Sequence, residues 1–208
     1  MKKKKIIILL YILLIASVTI SVSLMIAGAS VNNAGNITIV QTPEQTKAET
    51  PPEFKTSEPV IPPQPEGINL ALHKPVEANG YTQVYVPTNA TDGKITTYWE
   101  GKANSYPNIV TVDLHKVSTI TSIRIALNPN KIWSKRVQTF SINCSDDGKT
   151  FKELIPTKDY TFDPMTGNIV DIKLDSPAKT RYIQIIFTAN TGATGGQIGE
   201  LEIYGPGD

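Results

Sequence analysis

The chain has 208 residues, of which 19% are charged, and a formal net charge of +1. That length leaves room for one domain with accessory segments. The near-neutral balance, without a Lys/Arg stripe interleaved with aromatics, argues against a nucleic-acid partner. A lone cysteine, Cys144, excludes an internal disulfide and cannot build a zinc site by itself.

Residues 1–29 read as a targeting segment. Lys2, Lys3, Lys4 and Lys5 precede an apolar run from Ile6 to Ala27, and Ala27-Gly28-Ala29 has the small-x-small pattern of a signal-peptidase site. The run is long for a signal and just long enough, as a hydrophobic helix, to span a bilayer core of about 30 Å. Ser17, Thr19, Ser21 and Ser23 dilute its second half. A cleaved signal and a retained anchor both stay open. Either way the remainder is exported, which predicts an extracellular protein, secreted or held to the membrane through this segment alone.

Residues 30–66 read as a disordered, Pro-rich linker. Seven prolines fall between Pro43 and Pro65, among Thr, Glu, Lys and Gln. Such a stretch buries too little apolar area to fold, and its prolines favour extended polyproline II. It is the composition of a spacer.

The folded part spans residues 67–206. No helical period of useful length occurs there; alternation does. Ile109–Leu114 is one strand. Ile123, Ile125 and Leu127 line a second, and Phe140, Ile142 and Cys144 a third. Val170, Ile172 and Leu174, then Ile183, Ile185 and Phe187, then Leu201 and Ile203 continue the series. Turn signals separate them: Asn128-Pro129-Asn130, Asp146-Asp147-Gly148, Asp163-Pro164, Thr166-Gly167-Asn168 and Asp175-Ser176-Pro177. Short strands at this spacing predict an all-β sandwich or jelly roll. Cys144 belongs to an alternating run and reads as a buried strand residue rather than a reactive thiol.

Several segments, taken in order, resemble the discoidin, or coagulation factor V/VIII type C, domain. They are Asn69-Leu70-Ala71-Leu72-His73-Lys74-Pro75-Val76, Ala90-Thr91-Asp92-Gly93 with Thr97-Tyr98-Trp99, and Val112-Asp113-Leu114. Ser145–Phe151, Arg181-Tyr182-Ile183 and Glu200–Gly205 complete the set. The resemblance covers residues 68–205 and implies an eight-stranded jelly roll of the galactose-binding-like superfamily. Bacterial members are commonly family 32 carbohydrate-binding modules. Trp133–Thr139 and Thr188–Gly192 are similar to a subgroup appended to bacterial α-glucan hydrolases. His73 and His115 depart from the family, which has small residues there, above all Gly. The cysteines of its eukaryotic members are also absent.

The segment from Asn89 to Thr97 suits a calcium ion. Calcium takes about six to eight hard oxygens; Asp92 offers a carboxylate, and Gly93 permits the sharp turn that lets carbonyls converge. The resemblance implies a structural Ca2+ held by Asn89, Asp92, Lys94, Thr97 and Glu200, with a carbonyl near Gly199. The plain alternative is an Asp-Gly turn beside a solvated Glu.

Sugars ask for an aromatic platform and a few hydrogen-bonding groups. Trp133 sits in a polar turn beside Asn128, Asn130 and Lys131, where a core role is hard to assign, with Arg136 close behind. Glu100 follows Tyr98-Trp99, Asn190 lies in a Gly-containing loop, Gln138 opens a strand, and Tyr81 and Tyr85 lie in the first loop. The candidate ligand set is therefore Trp133, Arg136, Glu100, Asn190, Tyr98, Gln138 and Tyr81. Loop packing for Trp133 and an ion pair for Arg136 are the competing readings, and Trp99 reads as core.

No Gly-x-Ser-x-Gly, His-Glu-x-x-His or phosphate loop is present. Asp146-Asp147 belongs to a turn, and Glu200/Glu202 alternate along a strand, so neither pair reads as a glycosidase dyad. The sequence thus predicts a non-enzymatic, monomeric, calcium-stabilised module that binds a polysaccharide or glycoconjugate, of α-glucan or galactose type. The alternative is a cell-surface adhesion or assembly module for a protein partner. A lipid-binding role would call for exposed apolar loop tips, which Tyr81-Thr82-Gln83-Val84 does not advertise.

Overall fold

The computed structural model describes residues 29–31, 37–39 and 59–207. The predicted hydrophobic helix, and the linker outside these positions, lie outside the described residues. The chain divides into two compact units, Met1–Thr56 and Ser57–Asp208. In the first, strand β1 (Ala29–Val31) pairs antiparallel with β2 (Ile37–Ile39); β1 starts on the last residue of the expected targeting segment and the rest lies in the stretch expected as linker. Among the described residues no helix is long and apolar enough to cross a membrane.

The second unit is an all-β sandwich of β3 (Ile68–Asn69), β4 (Val76–Ala78), β5 (Trp99–Glu100), β6 (Asn108–Ala126) and β7 (Arg136–Ser145). It continues with β8 (Lys152–Phe162), β9 (Ile169–Asn190), β10 (Gln197–Ile198) and β11 (Glu200–Gly205). The segments Ile109–Leu114 and Ile123–Leu127, expected as separate strands, belong to the single strand β6 and its immediate exit. Val170–Leu174 and Ile183–Phe187 are likewise joined in β9.

β6 and β9 form one long antiparallel ribbon that breaks register between Asp113 and Ser118 and again between Ile120 and Ser122. Bulges bend a ladder, and the ribbon folds here so that each half joins a different sheet. The first half of β6 lies between β4 and the second half of β9, which continues to β7 and β8. The second half of β6 pairs with β11, and β11 with β3. Arg181 clamps the bend by holding both carboxylate oxygens of Asp113 at 2.8 Å. That pairing holds the Asp113 carboxyl down at about 2.

Alternation does the rest. Val110, Val112, Ile183, Ile185 and Phe187 from one sheet face Ile123, Ile125, Leu201 and Ile203 from the other, all with no exposed surface. Phe140 stacks on Tyr160 at 4.0 Å and meets Phe187 at 5.0 Å. β8 escaped sequence reading because most of its residues are solvent-facing; only Tyr160 and Phe162 are buried. Cys144 is buried in β7, as expected.

Because the ribbon is folded in half, the start of β6 and its end arrive at the same end of the sandwich. The end of β9, the start of β7 and the small β5–β10 ladder meet there as well. The last residues of the stretch read as linker are bonded to this unit: Val60 N donates to Met165 O at 2.8 Å, and Arg124 Nη2 donates to the Pro63 carbonyl at 2.5 Å.

Candidate functional site

Three aromatic side chains from different segments meet at the loop end. Tyr98 stacks on Tyr85 with centroids 4.1 Å apart, and Trp133 stands edge-on to Tyr98 at 4.7 Å. The Arg136 guanidinium lies over the Trp133 ring, 5.0 Å from its centroid. The indole is half-buried and packed against the core. Trp133 N–H donates to Asn130 O at 2.8 Å. Asn168, buried in the neighbouring turn, donates its amide to the carbonyls of Asn128 and Trp133 at 2.9 and 3.2 Å. The loop is thereby held from both sides.

Behind the rings runs a chain of buried polar groups. Arg136 Nη1 donates to Gln197 Oε1 at 2.7 Å, and Gln197 Nε2 donates to Glu100 Oε2 at 2.9 Å. Gln138 exchanges two hydrogen bonds with the Gln197 backbone, at 3.0 and 2.7 Å. Asn190 donates to Gly195 O at 2.8 Å and accepts from Gly192 N at 2.8 Å. Buried polar groups cost stability unless satisfied, and here they satisfy one another. Burial pulls the Arg136 guanidinium below its ordinary value, opposed by the charge of Glu100.

The candidate residues therefore divide. Trp133 and Tyr98 come together as a partly open aromatic cluster with Tyr85. Arg136, Glu100 and Gln138 are 7%, 9% and 0% exposed, and serve the cluster from beneath. For Gln138 this corrects the expectation of ligand contact: it has no exposed surface, and its amide bonds the Gln197 backbone and accepts from Asn190 at 3.2 Å. Arg136 is a stacking and bridging group rather than an open fork. Asn190 closes its own loop. Tyr81 is exposed, without a ring contact to the cluster. Trp99 is core, with no exposed surface, as its sequence position implied.

Sequence reading missed Gln197, which links Arg136 to Glu100 across sixty residues or more; an isolated Gln carries no motif. The expectation about loop tips also changes. Val84 is 74% and Ile132 83% exposed, so apolar tips do flank the cluster. The loop Tyr81–Val84 conceals this, because Gln83 takes φ 53° and turns the chain.

The second constellation lies close by. Asp92 accepts from Thr97 Oγ1 at 2.9 Å and from Lys94 N at 2.9 Å, and Thr97 Oγ1 also reaches the Lys94 carbonyl at 2.8 Å. Glu200, on β11, accepts from Gly93 N at 3.1 Å, while its buried Oε2 has no partner. Burial, with the charges of Asp92 and Glu202, pushes the Glu200 carboxyl up to about 7. The Asn89 amide donates to Tyr98 O at 2.9 Å, tying this loop to the aromatic cluster. Among the described residues no three His, Cys, Asp or Glu cluster, so a cation here would have to draw on the Asp92 and Glu200 carboxylates and on neutral oxygens. An orphaned buried carboxylate oxygen beside hard neutral donors fits calcium rather than a softer metal.

The family model for the F5/8 type C domain matches residues 75–201. The chain belongs to the F5/8 type C domain family. Among solved structures, this F5/8 type C chain is similar to a pectin-binding carbohydrate-binding module, at 26% identity and TM-score 0.54, covering 64% of this chain and 91% of that one. It is similar to the family 32 module of AlyQ, in complex with 4,5-unsaturated mannuronic acid, at 26% identity and TM-score 0.51, over 62% and 93% of the two chains. Coagulation factor V of Pseudonaja textilis is 31% identical over 96 residues, which is 44% of this chain and 7% of that protein. This F5/8 type C chain thus has the fold of family 32 carbohydrate-binding modules and spans only a small part of the curated relative it matches.

Proposed function

We propose that the module binds a saccharide, without catalysis, against the exposed part of Trp133 and its Tyr98–Tyr85 neighbours. The observation that carries this reading is an indole held half-exposed at a loop end by a guanidinium behind it and a ring beside it. A platform fixed before binding loses little entropy when a pyranose stacks on it. The two neighbours at 26% identity, a pectin-binding module and a mannuronate-bound one, support a glycan ligand. Acidic polysaccharides, α-glucans and galactosides are the ligands to test first. Calcium would be structural, held by Asp92, Glu200, Thr97 and the carbonyls of Asn89, Lys94 and Gly199, fastening the 89–97 loop to β11 across a long chain separation. The protein would act outside the cell, on its N-terminal stalk.

A glycan array followed by calorimetry tests this with wild type and Trp133→Ala. Binding that falls at least tenfold in the variant, with the fold intact, is the expected result. The exposed Val84 and Ile132 beside the cluster favour a second reading, a protein partner docked on the same loops. No saccharide binding by wild type, together with a specific partner lost in Ile132→Asp, would select it.

A further inference from the structure

The segment 60–67 crosses the outer face of the β6–β11 sheet and touches it at few points. Val60 N donates to Met165 O at 2.8 Å, and a Cβ on Gly167 would meet the Ile61 side chain at 2.7 Å, so Ile61 lies against that turn. Farther along, Arg124, 5% exposed and held by Asp171 at 2.6 and 2.8 Å, donates to the Pro63 carbonyl. Gly67 packs on the Gly205 carbonyl. Between these anchors a cleft of about 860 Å³ opens, lined on one side by Pro63, Gln64 and Pro65 and on the other by Thr121, Ser122 and Lys173. The segment is a strap pinned at intervals, and Val60 and Ile61 are 77% and 54% exposed. Elements with few buried apolar contacts and solvent-reachable hydrogen bonds open at low free energy.

The upper anchor leads to the candidate site. Met165 and Gly167 belong to the turn 163–168, which is closed by Asp163 accepting from the Met165 and Asn168 amides. Lys135 bonds Asp163 at 2.9 Å, and Asn168 donates to the carbonyls of Asn128 and Trp133. The strap therefore rests on the turn that holds the Trp133 loop.

We propose that the strap 60–67 is a detachable positioning element: docked, it steadies the 163–168 turn and through it the Trp133 loop; released, it frees both. Docking of the strap and occupancy of the loop end then favour each other by the same factor. Tension applied from the N-terminal side would reach the strap before the sandwich. This does not depend on what the loops bind.

The test is amide hydrogen exchange on the full chain without ligand. Val60→Pro deletes the donor to Met165 O, and Arg124→Met removes the bond to Pro63 O. The expected result is severalfold faster exchange at the Val60 amide in Arg124→Met and, in both variants, at the Met165 and Asn168 amides of the turn and in the Trp133 loop (the Trp133 amide above all), with the paired amides of β7 and β9 unchanged. Unaltered exchange in the Trp133 loop in both variants would overturn the coupling. Equal acceleration throughout β7 and β9 would overturn it too, because the strap would then support the whole fold rather than the loop.

Discussion

Of five non-glycine residues with positive φ among the described residues, two are histidines. His73 and His115 have φ 58° and 71°, in the left-handed region that glycine tolerates best. They are also the positions where this sequence departs from a small residue in the F5/8 type C pattern, so the departure has a backbone meaning. His73→Gly relieves a left-handed cost that exceeds the added chain entropy, and a gain of up to about 1 kcal/mol is expected in urea melts. His115→Gly should gain less, since the imidazole lies 3.9 Å from Asp113 and that contact would be lost. Asp113 itself sets an acid limit. Its carboxyl is held at about 2, chiefly by Arg181, against an ordinary value of 3.8. A depressed carboxyl stabilises the fold above its unfolded value and loses that contribution as pH falls through the folded one. Melting temperature should therefore drop between about pH 4 and pH 2, and less steeply in Asp113→Asn, where the titrating group is gone.

Among the elements, the 89–97 loop and β11 make the sharpest case. Glu200 is 4% exposed with one oxygen unpartnered, a costly arrangement for a carboxylate without a cation. Chelation by EDTA should lower the melting temperature by several degrees, and calcium should restore it. In Glu200→Gln the calcium increment should vanish, while the metal-free variant melts no lower than metal-free wild type because the buried charge has been removed. An unchanged melt after complete chelation would count against the cation. At the loop 190–196, a Cβ on Gly192 would lie 2.7 Å from Arg136 Nε. Arg136 is buried and cannot swing aside. Gly192→Ala should therefore disturb the stack on Trp133, weakening saccharide binding in calorimetry with little change in melting temperature.

At the scale of the molecule, a chain beginning at Ile68 keeps every sandwich strand but loses the strap, leaving Arg124 without the Pro63 carbonyl. Relative to a chain beginning at Ser57 it should be less stable by about 1–3 kcal/mol, the usual worth of a hydrogen bond to a charged group. Denaturant melts of the two chains check this. The class of fold was legible because period-two alternation reports which side of a strand faces the core, a local property written residue by residue; Ile123 to Leu127 and Ile183 to Phe187 display it openly. Asp92-Gly93 was legible because a turn that needs left-handed glycine declares itself over a few positions. Trp133 stood out because an indole in a polar turn contradicts its surroundings. What the chain did not declare was anything made by pairing distant, individually ordinary residues. Gln197 between Arg136 and Glu100, the burial of Gln138, the folding of one β6–β9 ribbon into two sheets, and the clasp of Arg124 on Pro63 all arise when segments far apart in sequence are packed together. The sequence by itself determined the alternating core segments, the turns and the candidate rings, because these follow from local pattern. Only the tertiary structure decided which polar groups lie beneath the rings and which residues of the linker belong to the domain, because burial and long-range hydrogen bonds exist only once the chain has closed on itself.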